Sequence, residues 1–267
     1  MTMDASSLSV VFPAASAPLE RYGLKFTAGG SHISRTMMLS ELDTILSNVP
    51  RGAPVSEYRE AVVSRNVLGK TTVSTRLKSL RHLRELYALD EAVPLFAALR
   101  LLHEIDSNSL PLLALLVAWS RDPLLRATSP PIMDARPGVR VEVADLAKAV
   151  SLVFADQYSP LNRAKIARNA ASTWTQSGHL TGRTKKVRQQ VWPTITAATM
   201  SFFLGQIAGY YGAAVFTNPW TQLLDLGGER GRGMAVEAHR AGLLNFRAVG
   251  EVIEMNFPMF ASFEQQT

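Results

Sequence analysis

The sequence contains no cysteine among its 267 residues. Disulfide bonds, thiolate metal sites and cysteine nucleophiles are therefore excluded, and a reducing compartment such as the cytoplasm is the expected location. The first residues, MTMDASSLSVVFPAASAPLERYG, carry an acid at Asp4 and lack the basic start of a signal peptide. We expect residues 1–20 to form a short flexible leader.

Acidic residues are missing from two long stretches of the chain. Residues 61–84, the first basic segment, contain six Lys or Arg, and residues 157–192, the second basic segment, contain seven. Together they hold 13 of the 28 basic side chains, which leaves 15 basic against 22 acidic side chains elsewhere. Two basic islands in a chain that is otherwise net acidic are typical of a polyanion binder. The alternative interpretation is an ordinary solvated basic surface.

Charge of either sign is missing from residues 193–216. These 24 residues are enough to span a bilayer, and Gly205 and Gly209 form a GxxxG pair. Several polar residues and the lack of a leucine-rich run nevertheless favour a helix packed in the protein core. The polar residues are Thr194, Thr196, Thr199, Ser201 and Gln206. We therefore do not expect membrane association, although a membrane anchor remains the alternative.

Helical patterns dominate the rest of the chain. The predicted helices cover residues 36–48, 56–66, 71–89, two stretches of 92–126, 141–154, 160–176 and 229–241, and hairpins are expected near Gly182 and Gly250. This order predicts a mainly α fold, with two helix-turn-helix or winged-helix-like units around an apolar helical middle and short β-hairpin wings.

Two domains are expected from this pattern. The Pro-rich connection TSPPIMDARPGVR (128–140) separates an N-terminal helix-turn-helix-like domain (21–127) from a C-terminal winged-helix-like domain (141–267). In the first domain Thr71 and Thr72 are candidate N-caps of a basic helix. Its expected apolar stripe consists of Val73, Leu77, Leu80, Leu83 and Tyr87.

The second basic segment predicts a recognition helix followed by a wing. Ser159 is the expected N-cap, Pro160 takes the first helical position, and Gly178 ends the helix. Helical phase places Ala164, Ala167, Ala170, Ala171 and Trp174 on the inner face. The outer face carries the candidate nucleic-acid-binding residues Asn162, Lys165, Arg168, Asn169, Ser172 and Gln176. Lys and Arg can bind phosphates or guanine edges, Asn and Gln can pair with adenine, and Ser can bind phosphate oxygens.

Further candidate contacts come from the wing and from the first basic segment. The wing contributes Arg183, Lys185, Lys186 and Arg188. The first basic segment contributes Arg65, Lys70, Ser74, Lys78, Arg81 and Arg84, whereas Arg76 is expected to face the core. If about six to ten of these residues contact phosphates, binding should weaken steeply with salt.

The sequence carries no positive indication of catalysis. The stretch Gly69–Thr72 (GKTT) has Ser64 where a P-loop needs its first glycine, so a nucleotide site is not expected. The histidines show no metal-ligand spacing, and His179 is expected to be a surface residue at a turn. We therefore predict a protein that is not an enzyme, with no metal, cofactor or small-molecule substrate.

Three stretches of the chain occur in a familiar order: RNVLGKTTVSTRLKSLRHLRELYAL, ALLVAWSRDPLLR and RNAASTWTQSGHLTGRTKKVR. Between about Tyr22 and Arg188 this order resembles the small A protein (BrxA) of bacteriophage-exclusion (BREX) defence systems, a family described as similar to the NusB antiterminator. The resemblance implies a non-catalytic, DNA-binding component that works beside the other proteins of a phage-defence system. It leaves the role of residues 210–267 open.

From the residues and the resemblance together we expect binding of double-stranded DNA, mainly through backbone charge. An RNA-binding module of the antiterminator kind would use the same basic surfaces. Two further functions stay compatible with the sequence: a membrane-associated scaffold, and a subunit that docks an acidic protein partner through its basic islands.

Overall fold

The structure is a computed structural model that describes residues 17–250 and 252–261. Helices dominate, and the strands form two small antiparallel sheets, which confirms the predicted mainly α fold with short β-hairpins. Most of the expected leader lies outside the described residues, and Ala17–Glu20 forms one helical turn.

Helices make up the N-terminal half. Its helices are α1 (Leu39–Asn48), α2 (Val55–Arg59, continued by a π-helical turn at Glu60–Ser64), α3 (Val73–Tyr87), α4 (Pro94–Ile105), α5 (Leu110–Arg121), α6 (Pro123–Ala127) and α7 (Ser129–Met133). The prediction placed the start of α1 at Thr36. The helix begins later because the backbone N–H and C=O of Met37 bind the Thr173 hydroxyl and the Tyr87 hydroxyl instead.

Helix α3 begins as predicted, but its apolar stripe is shorter. The Thr72 hydroxyl caps the helix by accepting the N–H of Thr75 at 3.2 Å. Leu80, Leu83 and Tyr87 are buried, whereas Val73 and Leu77 are exposed, so the prediction for these two residues was wrong. Burial along α3 begins only at Ser79, and helical spacing alone does not reveal where a helix enters the core.

The C-terminal half contains both helices and strands. Its elements are β1 (Arg140–Val141), α8 (Val143–Phe154), α9 (Pro160–Gln176), β2 (Leu180–Thr181), β3 (Lys186–Arg188), α10 (Ile195–Ile207), α11 (Pro219–Leu223), α12 (Gly228–Arg240), β4 (Asn245–Val249) and β5 (Val252–Asn256). The predicted hairpin near Gly250 is confirmed by the antiparallel pairing of β4 and β5.

The elements from β1 to β3 have the order of a winged helix. Both β1 and β2 pair antiparallel with β3, so β3 is the central strand of a three-stranded sheet. Ser159 caps α9 as predicted, with its hydroxyl accepting the N–H of Asn162 at 3.3 Å. The hairpin turn requires glycine at residue 182, where φ is +89° and a Cβ atom would clash with the carbonyl oxygen of Lys185.

Three apolar helices form the centre of the molecule. Helices α4 and α5 are largely buried, as predicted, and α10 packs against both. The hydroxyls of Thr199 and Ser201 donate to carbonyl oxygens of α10 itself at 2.7 Å, which satisfies these buried groups. No helix in the described part of the chain is both long and apolar enough to cross a membrane.

One hydrophobic core contains residues from both predicted domains, from Leu19 to Phe260. The Pro-rich connection contributes Ile132 of α7 to this core, and Thr128 and Ser129 are also buried. The Trp119 indole N–H donates to the Ser129 hydroxyl at 2.6 Å. The division into two domains stays a prediction.

Candidate nucleic-acid interface

Helix α9 has one buried face, as the sequence predicts. The buried side chains on this face are Ile166, Ala167, Ala170, Ala171 and Trp174. The Trp174 indole N–H donates to the Thr128 hydroxyl at 2.9 Å. Because alanine side chains are small, α9 can lie close to its neighbours, and it is fixed with its other face outward.

Two cations lie on the outward face of α9. Lys165 and Arg168 are exposed, and neither makes a hydrogen bond or ion pair with any residue whose side chain the structure describes. They are three residues apart, so they are neighbours on the helix surface. Asn162 lies one turn earlier and is half-buried. The first half of α9 therefore presents positive charge that is available to an anionic ligand.

The second half of the outward face is covered by the segment Ser31–Met37, which we call the bridging segment. The Asn169 amide donates to the carbonyl oxygen of His32 at 2.9 Å, and the Gln176 amide donates to the Thr36 hydroxyl at 3.3 Å. Ser172 between them is half-buried. The predicted continuous outer face is thus interrupted, since the amides expected to read adenine already have partners within the chain.

The wing turn carries two exposed cations. Arg183 and Lys185 lie in the turn between β2 and β3, and both are exposed. Lys186 points back: its ammonium group donates to the Thr175 hydroxyl at 2.9 Å and to the carbonyl oxygen of Gly182 at 2.7 Å. Partial burial lowers the pKa of Lys186. Lys186 therefore holds the wing against α9, whereas Arg183 and Lys185 are available to a ligand.

Arg188 is a core residue, so its predicted place on an exposed wing was wrong. Its side chain is 2% exposed and forms an ion pair with Asp225 at 2.5 Å. Its Nε also donates to the carbonyl oxygen of Ile132 at 2.9 Å. Alternation along β3 explains the error, because every second side chain of a strand faces the core whatever its charge.

Two cations of the first basic segment are neutralised by acids from outside it. Lys70 pairs with Glu41 on α1 at 2.9 Å, and Arg65 pairs with Glu57 on α2 at 2.6 Å. Arg76 donates to the carbonyl oxygens of Lys70 and Val63, which confirms its expected structural role. A segment that contains no acids in the sequence can therefore still be neutralised by acids that lie close to it in the folded protein.

The middle of α3 keeps its positive surface. Ser74, Lys78 and Arg81 are exposed, and Arg84 is half-buried. The exposed Val73 and Leu77 lie beside them on the first turns of the helix. This mixture of cations and apolar side chains suits the phosphates and sugars of a nucleic acid backbone.

The bridging segment brings α3 and α9 together. The Ser34 hydroxyl lies 3.3 Å from Nε2 of His82 on α3, and the carbonyl oxygen of His32 binds Asn169 on α9. Arg35 follows Ser34 in this segment and is half-buried, without an ion pair to a described residue. Burial lowers the pKa of His82, and the charges of Arg81 and Arg35 lower it further. The Arg81 guanidinium lies 3.5 Å from Nε2 of the same ring.

Sequence reasoning missed Arg35 because it lies outside both basic segments. It belongs to the bridging segment, which contacts α3 through Ser34 and α9 through His32. The only signal in the sequence was a lone arginine beside several hydroxyl residues, in the stretch SHISRT. That pattern does not distinguish a bridging loop from any other loop.

A Thr–His–Asp arrangement occurs in the core. His32 Nδ1 lies 2.8 Å from Asp122, and His32 Nε2 lies 2.8 Å from the Thr173 hydroxyl. The order of groups is that of a catalytic triad. All three side chains are fully buried, however, and the Thr173 hydroxyl also accepts the N–H of Met37 at 2.8 Å. No substrate can reach it, so the network is structural.

The remaining histidines offer no metal site in the part of the chain that the structure describes, since no three His, Asp or Glu side chains lie close enough to hold an ion. His179 is fully buried, so its predicted surface position was wrong. Its Nε2 donates to the carbonyl oxygen of Leu223 at 2.6 Å. Burial lowers the pKa of His179 to about 4, which keeps the ring neutral at pH 7.

The chain matches no family model and no curated protein. The likeness to the BREX A protein therefore stays an expectation from the sequence.

Proposed function

We propose that the protein is a non-catalytic, DNA-binding component of a bacterial phage-defence system of the BREX type. The observation that best supports DNA binding is the pair of exposed cations Lys165 and Arg168, which have no ion pair with a described side chain and lie on α9, the helix that precedes the wing. Arg183 and Lys185 in the wing turn add a second point of contact. We further propose a cytoplasmic location and association with other proteins of the same defence system.

Duplex DNA fits this arrangement in size. An α-helix is about 10–12 Å across, and the major groove of B-DNA is about 12 Å wide. With the start of α9 at the groove, the wing would lie against the backbone or the minor groove. The bridging segment limits how deeply α9 can enter, because it covers Asn169 and Gln176. We therefore propose binding mainly to phosphates, with little base reading.

The size of the proposed contact can be bounded from the cations. Lys165, Arg168, Arg183 and Lys185 would neutralise four phosphates, and Arg35, Lys78 and Arg81 would add three more if the DNA extends to α3. The logarithm of the binding constant should then fall with the logarithm of salt concentration with a slope between about −4 and −6.

Fluorescence anisotropy with labelled duplex DNA across a salt series tests the proposal. We expect a Lys165→Ala/Arg168→Ala double variant to bind about tenfold more weakly at low salt, with a salt slope smaller by about two. The matched control is Arg240→Ala/Arg247→Ala, which removes two exposed cations from α12 and β4. Unchanged affinity and slope in the Lys165/Arg168 variant would show that α9 does not bind DNA.

A competition experiment separates DNA from RNA. Unlabelled duplex DNA should displace the labelled duplex at lower concentration than a structured RNA hairpin of equal charge. The opposite order would favour an RNA-binding module that uses the same cations.

A further inference from the structure

Trp192 is the one tryptophan that is exposed, with 72% of its surface accessible, whereas Trp119, Trp174 and Trp220 are each at most 2% exposed. It lies in the coil between β3 and α10, four residues after the last residue of the wing. Tryptophan carries a large apolar surface, so an exposed ring is a place where a planar ligand can bind.

The coil that carries Trp192 is held in place. Val191 is buried, and its N–H donates to the carboxylate of Asp225 at 2.9 Å. The same carboxylate pairs with Arg188 at the end of the wing. Asp225 therefore joins the wing and the Trp192 coil in one rigid unit.

One face of the Trp192 ring is already stacked. The guanidinium carbon of Arg230 lies 4.5 Å from the ring centroid, a cation–π distance. Arg230 is itself anchored, because its Nη1 donates to the carbonyl oxygen of Asp225 at 3.0 Å. A planar group could therefore stack on the ring without first having to order it.

The charge around the ring favours an anionic partner. Arg230 lies behind the ring, and the carboxylate of Asp225 is neutralised by Arg188. A ligand that combines a planar aromatic group with negative charge is a nucleotide. Every nucleobase has a face that can stack on tryptophan, provided that the base is not already stacked in a duplex.

We propose that Trp192, supported by Arg230, stacks on an unpaired nucleobase, so that the preferred ligand is a duplex with an adjoining single-stranded segment. This inference rests on the proposed function, because the wing would hold the duplex part. Lys185 and Trp192 are seven positions apart in the chain, so they lie at most about 25 Å apart. At a spacing of about 3.4 Å per nucleotide, that is at most about seven nucleotides along a strand.

Tryptophan fluorescence can detect a ligand that stacks on Trp192, because the other three tryptophans are buried. Tryptophan emission would be measured during titration with a blunt duplex, the same duplex with a single-stranded tail, and the single strand alone. We expect the tailed duplex to quench the emission and, by anisotropy, to bind about tenfold more tightly than the blunt duplex.

Three variants complete the test. Trp192→Ala should lose the preference for the tail and still bind the blunt duplex, and Trp192→Phe should keep most of the preference. Tyr211→Ala, which removes another exposed aromatic ring, should behave as wild type. If wild type binds both duplexes equally and its emission does not change, the stacking proposal is wrong, DNA binding stands, and Trp192 is left as a contact for a protein partner. If no nucleic acid binds at all, the proposed function fails, and this inference fails with it.

Discussion

His32 and Asp122 are 90 residues apart in the chain and meet in the core, where Oδ2 of Asp122 accepts both the ring Nδ1–H of His32, at 2.8 Å, and its backbone N–H, at 3.1 Å. The other carboxylate oxygen caps α6 by accepting the N–H groups of Leu124 and Leu125. Asp122 thus fixes the bridging segment against α6. The His32 ring also forms a hydrogen bond with Thr173 of α9, so the same network includes α9. The surface proposed to bind DNA depends on this buried network.

Replacing Asp122 by asparagine should destabilise the protein. The asparagine oxygen can still cap α6, but its NH2 group would face two N–H donors of His32 and leave them unsatisfied. Breaking a buried charged contact of this kind costs about 3–5 kcal/mol. Urea unfolding measures the change, with Asp134→Asn, an exposed carboxylate, as the control. A loss as small as that of the control would mean that the network contributes nothing to stability.

Stability should fall as the pH is lowered from about 6.5 to 4. Burial lowers the pKa of His179 to about 4 in the folded protein, while an unfolded chain has a His pKa of about 6.5. Between these values the unfolded state binds a proton that the folded state does not, so the free energy of unfolding decreases by on the order of 3 kcal/mol. Burial also lowers the pKa values of His82 and His103, which adds to the effect.

The variant His179→Asn isolates the contribution of His179. Its free energy of unfolding should depend less on pH between 6.5 and 4 than that of the wild type, whatever its absolute stability. Urea unfolding at several pH values gives the two slopes. Equal slopes would show that His179 is not kept neutral by burial.

Below about pH 4 we expect a further loss of stability, because Asp122 then becomes protonated. Burial alone would raise the pKa of Asp122, but the His32 ring and the bound N–H groups lower it.

Residue types close together in the sequence were sufficient to predict that the second basic segment forms a helix that ends at Gly178 and is followed by a hairpin. Ser159, Pro160 and Gly178 are start and stop signals that act within a few residues, and the structure uses them as expected. The short strand β1 was not predicted, because two residues carry no recognisable period and pair only with the distant β3.

The functional roles of single cations could not be read from the sequence, because these depend on contacts between distant residues. Lys70 and Arg188 are neutralised by Glu41 and Asp225, which lie 29 and 37 residues away. Arg35 lies outside both basic segments of the sequence, in the bridging segment that contacts both α3 and α9. Charge counted along the chain therefore overestimated both islands, and it did not include Arg35.

Removing the partner of Arg188 should affect stability more than DNA binding. Asp225→Asn leaves a buried guanidinium without its counter-charge and weakens the anchor of Val191, so a loss of about 3–5 kcal/mol in unfolding free energy is expected. Arg183→Ala in the wing turn should do the reverse, with stability unchanged and the salt slope of DNA binding smaller by about one. Thermal unfolding and anisotropy on both variants check the contrast. Equal stability of the two variants would contradict the structural role of the Arg188–Asp225 pair.

The two kinds of cation in the first basic segment should behave differently in DNA binding. Lys78 and Arg81 are exposed and make no ion pair with a described residue, so Lys78→Ala/Arg81→Ala should weaken binding and reduce the salt slope by about two. Arg65→Ala/Lys70→Ala removes the same charge but frees Glu57 and Glu41, and these acids already neutralise the two cations in the folded protein. The slope should then change little. If the two double variants weaken binding equally, net charge and not the arrangement of free cations governs the interaction, and α3 is not a contact surface for DNA.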